Sequence, residues 1–405
     1  MPTTTFASNM ALPVHRWFRY SAGFSAEWAR SVIQESGARR VLDPFAGSGT
    51  TVLAAESAGA EGIGVDVHPF VSRVARAKLC WRADDKIFLE RAQAVLAGAR
   101  EHPGAAPGQS PLLAKCFTPR ALYDLTRLRD SVNRLAQGDE YDELLWLAVV
   151  SIIRACSPVG TAQWQYVLPA KSKARVAEPF AAFTARVAVF AEDMRWKATQ
   201  VSGVRGGFFE EDARTLGSVP DGWADLALTS PPYANNFDYA DASRLEMSFL
   251  GDVNGWSDLR PLRDKLMKSS SQQVDGWDPA GTLESPLLEP IRDELIMVYE
   301  ELAEVRQFRG GRKNYHRMVV GYFHDAARIW RALRRATAPG ARVCYVVGDS
   351  APYGVHVPVE RWLGDLAVAA GFSDWTFEKI RDRNIKWENR KHRHPLHEGH
   401  LWIAG

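Results

Sequence analysis

Ser230-Pro231-Pro232-Tyr233 sets a hydroxyl, backbone carbonyls and an aromatic ring at the end of the apolar run Ala224-Asp225-Leu226-Ala227-Leu228-Thr229. An amino group on a heteroaromatic ring is a poor nucleophile because its lone pair is delocalised. It becomes reactive when its hydrogens are held by acceptors that favour a pyramidal nitrogen. Ser230 Oγ and the Pro231 carbonyl are acceptors of the right kind, and the Tyr233 ring has a face on which a planar base can stack. Upstream, Val41-Leu42-Asp43-Pro44-Phe45-Ala46-Gly47-Ser48-Gly49-Thr50-Thr51 reads as a strand that runs into a glycine loop and then a helix. Such a loop lets a ligand approach the backbone closely and offers it free N–H groups.

The elements that must position these residues follow from periodicity. Ser25 caps a helix that Gly37 stops, and Arg39 to Asp43 is the first buried strand. Thr50 to Ala58 continues as a helix, and Gly62 to Asp66 forms a second strand. That strand ends in a carboxylate, which can accept both hydrogen bonds of a ribose diol. The third strand, Gly207 to Asp212, arrives much later than the usual short connection allows, so an insertion must intervene. Its sequence is helical: Thr118-Pro119 opens one amphipathic stretch, Leu144 to Cys156 is apolar all round, and Phe180 to Met194 carries another stripe. Asn235 to about Arg312 is a second interval, broken by Pro261, Pro279 and Pro286. After it come a helix from Met318 to Leu333, a turn at Pro339-Gly340, a strand from Arg342 to Asp349, a helix from Val357 to Ala370, and closing strands at Trp375–Ile380 and Gly399–Ile403.

Asp43 to Thr51, Asp66, Asp212 and Ser230 to Tyr233 together resemble the S-adenosylmethionine-dependent DNA amino-methyltransferase family, most closely its cytosine-N4 branch. The resemblance implies an α/β fold, a Rossmann-like methyltransferase sheet with a helical insertion and a second irregular insertion. It implies five segments: an arm and first part of the core over 1–81, a helical insertion over 82–205, core with the catalytic loop over 206–234, a target-recognition region over 235–312, and the rest of the core over 313–405. It also implies S-adenosyl-L-methionine as cofactor. Asp43, Pro44, Phe45, Ala46, Gly47, Ser48, Gly49, Thr50 and Thr51 would hold its methionine part, Asp66 its ribose and Asp212 its adenine amino group. Ser230, Pro231, Pro232 and Tyr233 would be catalytic toward the N4 amino group of a cytosine flipped out of double-stranded DNA. Serine at the head of the loop is commoner in the cytosine branch. Adenine-N6 methylation of DNA and amino-methylation of an RNA base are the alternatives, because aspartate and serine can accept the same hydrogen bond. Cytosine-C5 methylation requires a cysteine after a proline, and no Pro-Cys pair occurs.

The net charge of +2 in 405 residues is too small to announce a polyanion partner, so DNA contacts must come from local patches. Two patches mix cations with aromatic rings: Lys386 to His394, and Arg306 to Arg317 with Phe308 and Tyr315. Either suits phosphate, and either could be a solvated face. Asn235, Asn236, Asp238 and Tyr239 could line a base pocket or cap the next helix. His15, Trp17, Phe18, Tyr20 and Phe24 could cross the cofactor or pack an arm onto the sheet. His392, His394, His397 and His400 alternate on a hairpin, which sends their side chains to opposite faces, and no metal is expected. Cys80, Cys116, Cys156 and Cys344 have no paired spacing and suit reduced core positions. No leader or membrane span is evident, so the expectation is a cytoplasmic protein, associated with the nucleoid through DNA, with a restriction or phage-defence partner and no membrane.

Overall fold

The computed structural model describes residues 6–20, 23–104, 110–161, 166–200, 203–235, 237–383 and 395–405. Asn236, the 386–394 patch with His392 and His394, and the first five residues lie outside them. The strands are β1 (Arg40–Asp43), β2 (Glu61–Asp66), β3 (Val159–Thr161), β4 (Val167–Ser172), β5 (Gly207–Glu210), β6 (Ala224–Thr229), β7 (Thr337–Gly348), β8 (Asp374–Arg383) and β9 (Leu396–Ala404). Seven of them form one sheet in the order β5-β2-β1-β6-β7-β9-β8. The first five are mutually parallel, and β9 runs antiparallel to both neighbours. This is the mixed sheet of a Rossmann-like methyltransferase fold. Its parallel strands deliver the ends of β1, β2, β5, β6 and β7 to a single edge.

Alternation along the strands builds a core on each face. Val41, Leu226, Leu228, Cys344 and Val346 pack with α1 (Ala26–Ser36) and α2 (Thr50–Ala58). Leu42, Ala227, Val343, Tyr345 and Val347 point the other way. Ser25 Oγ accepts from the Trp28 N–H at 3.3 Å to start α1, and Gly37 ends it at φ 66°. A Cβ on Gly64 would stand within 3.0 Å of Phe208, Val52 and Ala46, so only glycine lets α2 lie this close to β2. Pro339-Gly340 lies inside β7 rather than between elements. The register with β6 jumps there, from Ala224↔Thr337 to Leu226↔Arg342, and Gly340 takes φ 74°. The expected turn is thus an irregularity in a longer strand.

Next come α3 (Pro69–Leu79), α4 (Asp85–Glu101), α5 (Pro111–Cys116), α6 (Pro119–Leu135), α7 (Glu140–Ile152) and α8 (Pro179–Gln200). They share a core of their own, including Phe88, Leu125, Leu147, Phe183 and Phe190. Thr118 caps α6 through the Ala121 N–H, and Asp139 with Asp142 forms a capping box on α7. The hairpin β3-β4 between α7 and α8 is an addition that helical periodicity did not anticipate.

The second interval holds α9 (Tyr239–Ala242), α10 (Arg244–Leu250), α11 (Arg260–Lys265), α12 (Ala280–Leu283) and the longer α13 (Arg292–Arg306). Leu288, Ile291, Leu295 and Leu302 pack with α14 (Tyr315–Ala336) and α15 (Val359–Ala369). Cys116, Cys156 and Cys344 are buried, and all four cysteines are free. Among the described residues no helix is long and apolar enough to cross a membrane.

Candidate active site

The glycine loop is organised from beneath by Asp43, which is 1% exposed. Its carboxylate accepts from Thr51 Oγ1 and Thr229 Oγ1, each at 2.5 Å, and from the Phe45 N–H at 3.0 Å. These bonds join the ends of β1 and β6 to the first turn of α2. Burial still pushes the Asp43 carboxyl up to about 6, because desolvation outweighs the donors. Gly47 and Gly49 then take φ of 50° and 85°. A Cβ on Gly47 would stand 2.8 Å from Cε1 of Tyr20, so the bare glycine lets that ring lie on the loop.

Asp66, at the end of β2, accepts from the Gly47 and His68 N–H groups at 2.9 Å each. Burial raises it as well, to about 6. Two backbone donors do not exhaust the lone pairs of a carboxylate. Asp66 therefore keeps acceptor capacity toward the cleft that it lines with Tyr20, Pro44, Phe45, His68, Asp212, Ser230, Pro232 and Tyr239. The cleft is tight, with about 50 Å³ open to the centres of water molecules, and the Tyr20 ring is part of its wall.

Among the expected cofactor residues, Pro44, Phe45, Asp66 and Asp212 line this cleft, while Asp43 and Ala46 to Thr51 build the loop behind them. Among the expected catalytic residues, Ser230 and Pro232 line it. Pro231 is buried, and the Tyr233 ring lies 5.2 Å from the Arg383 guanidinium carbon. The loop is pinned from two sides: Tyr322 donates to the Pro232 carbonyl at 2.9 Å, and Ser350 Oγ donates to the carbonyl of Ala234. Ser230 Oγ donates to the Val346 carbonyl only weakly, at 3.4 Å, and its side chain also meets the Tyr233 hydroxyl.

Several neighbours had no signal in the sequence. Arg214 donates Nε–H to both Asp212 oxygens at 2.9 and 2.8 Å, and its other nitrogens reach Asp325 at 3.1 Å and the Lys265 carbonyl at 2.7 Å. His68 Nε2 lies 2.8 Å from Ser243 Oγ, its Nδ1 is buried without a hydrogen-bond partner, and burial lowers its pKa to about 4. It is a neutral imidazole facing the cleft. Only its place two residues after Asp66 and just before Pro69 could have drawn attention to it.

The open alternatives separate residue by residue. Asp238 caps α9 through the Ala240 and Asp241 N–H groups and pairs with Arg263 at 2.8 Å, whereas Tyr239 lines the cleft and Asn235 is exposed. In the arm, Trp17 stacks on Phe190 at 4.2 Å and donates to Asp193, Phe18 meets Phe70, and Phe24 meets Trp28. His15 is buried too, so in this arm Tyr20 is the ring at the cleft. His400 stacks on Trp28, while His397 points to Asp349 and Glu360 on the opposite face of β9.

The donor set fits the adenosine of a sulfonium nucleoside. Asp66 supplies acceptors for a diol, Phe45 and Ile329 supply apolar surface, the glycine loop allows close approach, and the orphaned Nδ1 of His68 is a polar atom awaiting a partner. Residues 9–77, which hold the glycine loop and Asp66, match a family model described as DNA methylase. The chain is 24% identical to the Type II methyltransferase M.BsoBI of Geobacillus stearothermophilus over 429 aligned positions, covering 94% of this chain and 82% of that protein. It is 23% identical to the Type II methyltransferase M.AvaI of Nostoc sp. strain PCC 7120 and to that of Anabaena variabilis, covering 91% of this chain and 81% of each. Glycine loop, strand-end acid and proline loop stand together at one edge of this sheet, and the relatives that align along nearly the whole chain are Type II methyltransferases, so the chain is similar to the S-adenosylmethionine-dependent DNA amino-methyltransferases in both its site and its sequence.

Proposed function

We propose that this chain is a site-specific Type II DNA methyltransferase and that its product is N4-methylcytosine. The observation that carries the reading is the position of Ser230 at the head of the Ser-Pro-Pro-Tyr loop, in the same cleft as Asp66 and Phe45. S-adenosylmethionine supplies an electrophilic methyl on a sulfonium. The protein's part is placement and acceptance of hydrogen bonds, with no covalent enzyme intermediate. Ser230 Oγ and the Pro231 carbonyl accept from the two amino hydrogens, which localises the lone pair on nitrogen. Tyr322 and Ser350 keep the loop from yielding as the nitrogen moves toward the methyl. After transfer the methylated nitrogen carries one proton too many and a positive charge, which makes it strongly acidic. It releases that proton to solvent, and the Ser230 hydroxyl and Pro231 carbonyl serve as hydrogen-bond acceptors throughout, without being protonated. The names of M.BsoBI and M.AvaI support a double-stranded DNA substrate, and a restriction nuclease that recognises the same site is the partner this reading expects.

The test is incubation of purified protein with methyl-labelled cofactor and either duplex DNA or structured RNA, followed by mass spectrometry of the nucleosides. Label in N4-methylcytosine from DNA is the expected result. Label in N6-methyladenine would keep the mechanism and overturn the base, and label confined to RNA would overturn the substrate.

A further inference from the structure

Phe308 is 81% exposed, a large apolar ring held out in solvent on the connection between α13 and α14. Residues 306–317 around it hold five Arg or Lys and no acid. Among the described residues none of these cations is in an ion pair: Arg306 and Arg309 donate only to the carbonyls of Arg312 and Tyr353. A solvated loop has no reason to expose such a ring in the middle of uncompensated positive charge. A polyanion that also offers an apolar stack of rings does satisfy both.

The loop is aimed rather than free. Tyr353 takes φ 55°, a left-handed backbone that costs a non-glycine residue energy, and its hydroxyl accepts from the Lys313 N–H at 2.7 Å. Its ring meets Tyr315 edge-on at 4.7 Å. Tyr353 lies three residues beyond Ser350, which bonds the carbonyl just after the catalytic loop. Three residues span at most ~11 Å, so Tyr353, which anchors the basic loop at Lys313, lies near the sheet edge where the Ser230 loop ends. Gly310 and Gly311 leave the tip free to adapt.

We propose that this loop engages the DNA duplex, with Phe308 entering the base stack beside the extruded nucleotide while Arg309, Arg312 and Lys313 hold the flanking phosphates. The inference rests on the base-methylating function proposed above and adds the element that opens the duplex. Phe308 is then a positioning residue, needed when the target base is paired and dispensable when it is already loose.

The full chain and its Phe308→Ala and Phe308→Trp variants would be compared on two synthetic duplexes carrying the motif recovered from modified-base sequencing, one fully paired and one mismatched opposite the target. Phe308→Ala should slow transfer to the paired duplex by ~10-fold or more and to the mismatched duplex by less than ~2-fold, with Phe308→Trp restoring most of the rate. Because the ring is exposed, thermal unfolding should be unchanged. The triple change Arg309→Ala, Arg312→Ala, Lys313→Ala should weaken binding to both duplexes alike and reduce the salt dependence by about three ions. Equal rates for Phe308→Ala and the unsubstituted chain, or an equal loss on both duplexes, would overturn the wedge. Failure of the unsubstituted chain on either duplex would instead overturn the functional reading.

Discussion

The proposed function gives Asp66 and Ser230 different tasks in the cleft, and single substitutions can separate them. On the proposed reading Asp66 offers acceptors to the ribose diol, so Asp66→Ala should weaken S-adenosylmethionine binding by about 1–3 kcal/mol, the cost of leaving polar partners unsatisfied. An unchanged calorimetric affinity in a folded variant would remove Asp66 from the site. The pH dependence has a definite sign. Burial raises Asp43 and Asp66 from 3.8 to about 6, so between those values the folded chain keeps protons that the unfolded chain has released, and stability falls as pH rises across that window. Binding runs the other way, since the diol donates to the ionised carboxylate: affinity should hold above about pH 6 and decline below it, and Asp66→Asn should flatten that decline. Titrations between pH 5 and 8 that show no such decline would contradict the role. On the proposed mechanism Ser230 acts on the reacting nitrogen, so Ser230→Ala should lower kcat far more than it changes cofactor affinity. Equal losses in single-turnover rate and in calorimetric affinity would place it in the cofactor site instead.

At the scale of elements, the sheet was legible and its accessories were not. Val41-Leu42-Asp43 and Ile63-Gly64-Val65-Asp66 announce buried parallel strands because both of their faces are covered, and α1 and α6 carry the expected cap residues, Ser25 and Thr118, whose side chains do bond the first turn. The hairpin β3-β4 escaped because Val159-Gly160-Thr161 is too short to show alternation. α13 escaped because among its residues only Leu295 and Leu302 are buried, and spacing that sparse reads as irregular. The cleft was half legible: the acids at strand ends follow a topological rule, but the Tyr322 bond to Pro232 and the Arg214 bond to Asp325 join residues 90 and 111 positions apart, separations that leave no local trace. The arm is tied to the helical block by one buried acid. Asp193 accepts from the Val14 N–H at 2.9 Å, Trp17 Nε1–H at 2.8 Å and Arg16 at 2.5 Å. Asp193→Ala strands two buried donors and should cost about 3 kcal/mol or more. A thermal unfolding midpoint equal to that of the unsubstituted chain would show that the arm is held by apolar packing alone.

For the molecule as a whole, target choice must fall to surface outside the chemistry. A groove of about 800 Å³ lies between the helical block and the 235–312 interval, with Phe70, Arg73, Arg129 and Trp146 on one side and Leu250, Asp252, Asp258 and Lys265 on the other. Lys265 also borders the cleft that holds Asp66 and Ser230, so the two spaces share a wall. The groove carries both signs of charge, and its cations are largely engaged: Arg73 pairs with Glu143 at 2.9 Å and covers Trp146, while Arg129 pairs with Asp130. Uniform positive charge would suit phosphates and carry no sequence information. A mixed set of donors and acceptors suits base edges, where each pair presents its own pattern in the major groove. The basic loop around Phe308 would then grip the backbone while this groove reads the site. Of its two walls the 235–312 side follows directly on the Ser230 loop in sequence, so under the proposed function the nucleotides flanking a base held at Ser230 would meet α10 and α11. Photocrosslinking from duplexes with iodinated pyrimidines flanking the target should therefore recover peptides between Leu250 and Lys265. Crosslinks confined to α8, or to β8 and β9, would place recognition elsewhere and defeat the assignment.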